Sequence, residues 1–150
     1  MQDSERFQDE NLRIEDFEKE AWVHCISCNS RAVARFDPDR KKAKLICSSC
    51  GLFREISSLV KDDKGREFER IMPAQAWFGA ELWYSHPFRG DVFFAYNPDH
   101  LDYLERYIQA KLREHKNRSY FTLLEKLPRF YHRAGNREGL LKIIEKLRNK

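Results

Sequence analysis

Glycine is scarce in this chain, six residues in 150, and no cluster of it forms a phosphate-cradling loop. The Gly-x-Ser-x-Gly elbow of a nucleophilic serine and the His-Glu-x-x-His helix of a metalloprotease are also missing, so no motif places an acid–base pair and a non-enzymatic role is expected. No apolar run approaches the ~18–20 residues that cross a bilayer, which argues against a membrane partner. The N-terminus is acidic and lacks the basic-then-apolar layout of a signal peptide. No small-molecule substrate is suggested by any residue pattern. There are only four cysteines, expected to be reduced, and the cytoplasm is the compartment that fits them.

Charge and aromatic mass are what the chain has in quantity. Charged residues make up 35% and hydrophobic ones 41%, with eleven Phe, six Tyr and three Trp to supply a core. The net charge of +4 is unevenly spread. Residues 1–20 hold eight acids and three bases, a local −5 that leaves about +9 on the other 130 residues. A basic body suits a polyanionic partner such as nucleic acid, although a modest excess of this kind also occurs on proteins that bind none.

The four cysteines organise the sequence. Cys25 and Cys28 form one C-x2-C pair, Cys47 and Cys50 another, with eighteen residues between them. This spacing reads as a four-thiolate zinc site, closed to substrate and therefore structural. Iron would accept the same four sulfurs, and disulfide pairing is the remaining alternative. Asn29 follows one pair and Gly51 the other. Both tolerate the left-handed backbone needed to turn two sulfurs onto one ion.

Around this centre the expected fold class is α+β: an N-terminal four-cysteine zinc ribbon, then a β-hairpin or small antiparallel sheet, then C-terminal helices. The domains would be an acidic segment at 1–20, the ribbon at 21–58, and an α+β part at 59–150 with three helices. Ile14, Phe17 and Ala21 are spaced for a short helix. Strands are expected at 21–25, 31–36, 43–46 and 52–57, with a turn at 37–40, and a further hairpin turns at 61–65. Residues 77–84 and 91–96 read as two strands, the second buried on both faces. Asn97-Pro98-Asp99 starts a helix running to about Glu114, which would bury Leu101, Leu104, Ile108 and Leu112. A second helix begins near Ser119 with Phe121, Leu123, Leu124 and Leu127 inside. The last begins at Asn136 and buries Leu140, Ile143, Ile144 and Leu147.

The knuckles Cys25-Ile-Ser-Cys28-Asn29 and Cys47-Ser-Ser-Cys50-Gly51, joined by a hairpin, resemble the transcription-factor-IIB-type zinc ribbon over residues 21–57. They lack the proline that commonly follows the first cysteine of each pair, a departure that leaves metal binding intact. Leu82-Trp83, Ala95-Tyr96-Asn97, His100-Leu101, Leu127-Pro128-Arg129 and Asn136-Arg137, in that order, extend the resemblance to a bacterial zinc-ribbon protein family whose members are uncharacterised. The resemblance implies one structural Zn2+ and an architecture, and no activity.

Two basic segments are candidates for nucleic-acid binding. Arg40, Lys41, Lys42 and Lys44 crowd the hairpin tip, where they could reach a phosphate backbone or simply keep an exposed turn solvated. Arg129, Arg133 and Arg137 interleave with Phe130 and Tyr131, a pattern that grips phosphate and stacks bases if the rings are exposed, and is ordinary packing if they are not. The alternative is a protein-interaction module, an adaptor or inhibitor, using the acidic N-terminal segment or aromatics near Trp77, Phe78 and Phe88. The histidines at 24, 86, 100, 115 and 132 have no metal-ligand spacing; His24 is either a donor to a thiolate or an ordinary strand residue.

Overall fold

The computed structural model describes residues 6–9, 17–109, 112–115, 129–131 and 133–150. In chain order its strands are β1 (Arg6–Asp9), β2 (Glu20–His24), β3 (Arg31–Asp37), β4 (Lys42–Ile46), β5 (Phe53–Ser57), β6 (Leu59–Lys61), β7 (Glu67–Glu69), β8 (Tyr84–Phe88), β9 (Asp91–Ala95) and β10 (Leu112–His115). Its α-helices are α1 (Pro98–Gln109) and α2 (Arg137–Arg148). The chain divides into two compact units, Glu18–Trp83 on the one hand and Met1–Phe17 with Tyr84–Lys150 on the other.

In the first unit, β2, β3, β4 and β5 form an antiparallel sheet in that order. Alternation puts Ala21, Val23, Ala32, Ala34, Ala43 and Leu45 on one face, each 2% exposed or less. Four of the six are alanine. Side chains that short let the 3-10 turn Ala74–Trp77 lie close against β2 and β3, with Trp77 stacked on Phe36 at 6.0 Å between ring centroids. The outer edge of β2 is closed by residues 81–83, where the His24 amide donates to the Glu81 carbonyl, the Trp83 amide donates to that of Trp22, and Val23 bridges Leu82. A paired edge offers no free ladder to another chain.

Ala21 belongs to β2, and Phe17–Lys19 is a turn, so the spacing of Phe17 and Ala21 is not helical; Ile14 lies outside the described residues. Residues 77–84 are not one strand: the chain leaves the 3-10 turn through Gly79 at φ 64° and regains extended pairing only at Leu82. Apolar content suggested a strand there, but a left-handed glycine breaks it. The second hairpin forms as expected, β6 with β7.

The second unit holds the β8–β9 hairpin, the two helices and a parallel pairing of β1 with β10. Arg89 and Gly90, at φ 48° and 86°, supply the two left-handed residues that a tight hairpin turn requires. β9 has only one dry face: Phe93 and Ala95 are fully buried, whereas Val92 is 55% exposed, because the sheet has just two strands. α1 stops at Gln109 rather than near Glu114, and Leu112 joins a strand. Asn97 caps it as expected, its Oδ1 accepting the His100 amide at 2.9 Å. The helix expected from Ser119 lies outside the described residues. α2 buries Leu140, Ile143, Ile144 and Leu147 as its spacing predicts, and Arg148 at its end reaches both Asp102 and Glu105 of α1.

One polar residue sits at the centre of this unit. His100 is 2% exposed and is held between Phe17 (4.8 Å, 13° between planes) and Tyr96 (5.4 Å, 22°). Its Nδ1 accepts the Tyr96 amide at 3.0 Å, which places the single ring proton on Nε2, and Nε2 is buried without a partner. A second proton would have to displace that amide in a dry site, and burial pushes the His100 pKa down to about 4. The unfolded chain protonates near 6.5, so this contribution to stability is fully present above pH 6.5 and is lost as pH falls toward 4. A shift of that size corresponds to about 3 kcal/mol across the window. In a proton NMR titration the His100 Cε1 resonance, assigned by its loss in His100→Asn, should stay unshifted down to pH 5; a midpoint near 6.5 would contradict the packing described.

Candidate metal centre

The centre lies at one end of the four-stranded sheet, where β2 runs out into Cys25 and β4 into Cys47. The two turns are built alike. The Asn29 amide donates to the Cys25 carbonyl at 3.0 Å and the Cys25 amide to that of Ser30 at 2.7 Å; the Gly51 amide donates to the Cys47 carbonyl at 2.9 Å and the Cys47 amide to that of Leu52 at 3.0 Å. Asn29 (φ 66°) and Gly51 (φ 77°) occupy the left-handed position that their residue types anticipated. Each turn directs its first cysteine inward and its second outward: Cys25 and Cys47 are buried, Cys28 and Cys50 exposed.

The four Sγ atoms lie within 4.8 Å of one another. Cys25 and Cys50 approach to 3.7 Å and Cys28 and Cys47 to 3.6 Å. A tetrahedron with metal–sulfur bonds of about 2.3 Å has edges of about 3.8 Å, so the quartet is dimensioned for one four-coordinate ion. Separations this long are not disulfides, and all four cysteines are free. The amides of Ser27 and Cys28 point at Cys25 Sγ at 3.4 and 3.5 Å and stabilise its thiolate.

Without a cation the four sulfurs cannot ionise together. The Ser30 backbone amide, and then its hydroxyl, hold Cys28 down to about 6, whereas the Leu52 amide at Cys50 is outweighed by burial and the neighbouring sulfurs, which raise that thiol to about 11. The first proton leaves readily and the last does not. A bound divalent ion removes that obstacle, which is the chemistry a donor set of four thiolates selects for. His24 precedes the first ligand; its Nδ1 lies 3.4 Å from the Asn29 carbonyl oxygen and its ring packs against Trp83.

The two basic segments differ in what surrounds them. At the hairpin tip Arg40 lies 3.9 Å from Asp37, Lys41 3.9 Å from Glu69, and Lys42 and Lys44 lie 3.5 and 3.8 Å from Glu55. With Asp39 alongside, four cations there face four acids. Farther along, Arg129 and Arg133 are exposed and Arg137 half-buried, and among the described residues none has a carboxylate within 4 Å. Phe130 and Tyr131 between them are buried, Phe130 stacked on Phe88 and Tyr131 on Phe93, so the rings are core and offer no stacking platform. Asn136 does not cap α2 with its side chain, which turns back to other segments.

Of the aromatics expected at a surface, Trp77 is 6% and Phe88 8% exposed, and Phe78 is half-buried. An apolar surface lies elsewhere. On the outer face of the sheet, strand register aligns Trp22, Val33, Ile46 and Phe53 in one row across all four strands. Ile46 is 43% and Phe53 53% exposed, and the Arg31 guanidinium lies 4.2 Å from the Trp22 ring centroid. Each strand shows the alternation in sequence, but the register that joins four residues into a row does not.

No protein-family model, curated protein or solved structure matches the chain. The metal quartet therefore stands on its geometry. No helix among the described residues is long and apolar enough to cross a membrane.

Metal removal gives the direct check. Purified protein should carry one metal ion per chain, and Cys47→Ser should abolish that stoichiometry and expose the amides of Ala34 and Ala43 to rapid hydrogen exchange. Metal coordination in small sites of this kind is worth on the order of 10 kcal/mol, so a variant with unchanged metal content and melting would refute the centre.

Proposed function

We propose that the chain is a non-catalytic zinc-ribbon protein that binds nucleic acid, with one structural Zn2+ holding the four-stranded sheet and with arginines of the second unit contacting phosphate. The supporting observation is the contrast between the two basic segments. Arg129, Arg133 and Arg137 have no carboxylate partner among the described residues, so their charge is available to an outside anion. Arg40, Lys41, Lys42 and Lys44 are each matched by an acid of the same unit. Such exposed pairs are individually weak, but the acids still cancel the field that would draw in a phosphate backbone. The binding surface is therefore assigned mainly to 129–137 and only weakly to 40–44.

A second reading has an observation of its own. The row Trp22, Val33, Ile46 and Phe53 is mixed aromatic and aliphatic, and its flanking charges are largely self-paired, Glu20 with Arg35 and Glu55 with Lys44. Apolar centres with satisfied polar rims are characteristic of protein interfaces. This supports an adaptor role in which the sheet face meets another protein.

The two readings separate by salt. Fluorescence anisotropy of zinc-loaded protein with labelled single- and double-stranded DNA and RNA should show binding that weakens at least tenfold between about 50 and 200 mM salt. The triple variant Arg129→Ala, Arg133→Ala, Arg137→Ala should lose most of the affinity and lower the salt slope by about one for each phosphate contact removed, while alanines at 40, 41, 42 and 44 should change little. Absence of binding at the lower salt would reject the nucleic-acid reading and leave the sheet face as the surface to pursue.

A further inference from the structure

The segments that carry the acid-free arginines of the second unit meet at one buried residue. Asn136 is 6% exposed. Its Oδ1 accepts from Arg89 Nη1 at 2.8 Å, its Nδ2 donates to the Phe130 carbonyl at 3.1 Å, and its backbone amide donates to the Arg133 carbonyl at 3.0 Å. Arg129 adjoins Phe130 in sequence, and Arg137 adjoins Asn136 itself. A single residue thus ties the segments of Arg89, Arg129, Arg133 and Arg137 to the start of α2.

The support beneath is firm. Phe88 stacks on Phe130 at 5.8 Å, and the Arg89 guanidinium lies 5.2 Å from the Phe88 ring centroid. Gly139 brings the first turn of α2 against the same ring so closely that a Cβ there would come within 2.9 Å of Phe88 Cε1. Arg89 itself is held at φ 48°, in the turn of the β8–β9 hairpin. The Nε of Arg137 is buried and has no partner. Among the described residues no carboxylate lies within 4 Å of any of the four guanidiniums, so no acid meets their charge.

We infer that Arg89, Arg129, Arg133 and Arg137, gathered on Asn136, form a binding site for a terminal phosphate monoester of a nucleic-acid strand. The anion class follows from the cations. All four are arginine, whose planar fork takes phosphate oxygens in pairs, and lysine is absent from the group. The monoester follows from charge and placement: it carries about −1.5 to −2, whereas backbone phosphodiesters carry about −1 each and are met by cations spread along a track. Here the four arginines stand on segments that meet at one anchoring residue. The inference rests on the nucleic-acid reading and narrows it to a strand end.

The test compares a labelled single-stranded oligonucleotide carrying a 5′-phosphate, the same strand with a 5′-hydroxyl, and a strand phosphorylated at 3′, all by anisotropy on the full zinc-loaded chain. One phosphorylated end should bind on the order of tenfold tighter than the hydroxyl strand, as the loss of a single charge-assisted hydrogen bond already implies. Arg89→Gln should erase the difference, and so should Arg137→Gln, which leaves every hydrogen bond of Asn136 in place and so separates lost recognition from lost folding. Equal affinity for all three strands would overturn the inference while leaving the nucleic-acid reading intact. Failure of every strand to bind, with amide shifts at Asn136 and Arg137 on adding inorganic phosphate, would overturn both the strand assignment and the nucleic-acid reading. Failure of strands and of inorganic phosphate alike would overturn the site itself.

Discussion

The convergence of four sulfurs at the end of one small sheet is the constraint on which the first unit depends. The buried face of that sheet is mostly alanine: Ala21, Ala32, Ala34 and Ala43 are all 2% exposed or less. Alanine allows the 3-10 turn Ala74–Trp77 to come close, but each side chain buries only one methyl group and contributes little to the hydrophobic driving force. A core of that composition leaves the sheet short of stabilisation. A metal ion held where the strands run into the cysteine turns would meet that deficit, because binding at a tetrahedral thiolate site is part of the folding free energy.

How much of this was legible in the sequence depends on how local each feature is. The cysteine spacing, the left-handed residues Asn29 and Gly51, the cap at Asn97 and the apolar stripe of α2 are short-range patterns, and all appear in the structure as read. Misreadings fell where local pattern was ambiguous. The run 77–84 is apolar without alternation, and a left-handed Gly79 divides it. The α1 stripe continued through Leu112 in sequence, although the chain enters a strand there. Features that depend on register were invisible: nothing in four separate strands announces that Trp22, Val33, Ile46 and Phe53 share a row. The place of His100 between Phe17 and Tyr96 likewise joins residues more than eighty positions apart at its far side.

Charge shows the same limit in its sharpest form. Counting bases in a window makes 40–44 and 129–137 look equivalent, and only the distribution of acids in space separates them. Glu55 and Glu69 come from β5 and β7 to meet the hairpin-tip lysines, pairings set by sheet topology. Arg89 shows the complementary limit. It stands alone in a hairpin turn, forty-seven residues from Asn136, and joins the other arginines only because the Asn136 side-chain amide bonds to it. An asparagine before an apolar stripe is an ordinary sign of a helix cap. The Asn136 side chain instead joins two other segments, accepting from one and donating to the other, a use that an amide with both an acceptor and donors serves well. Around it Phe88, Phe130 and Gly139 pack closely, the ring of Phe88 leaving no room for a Cβ at Gly139.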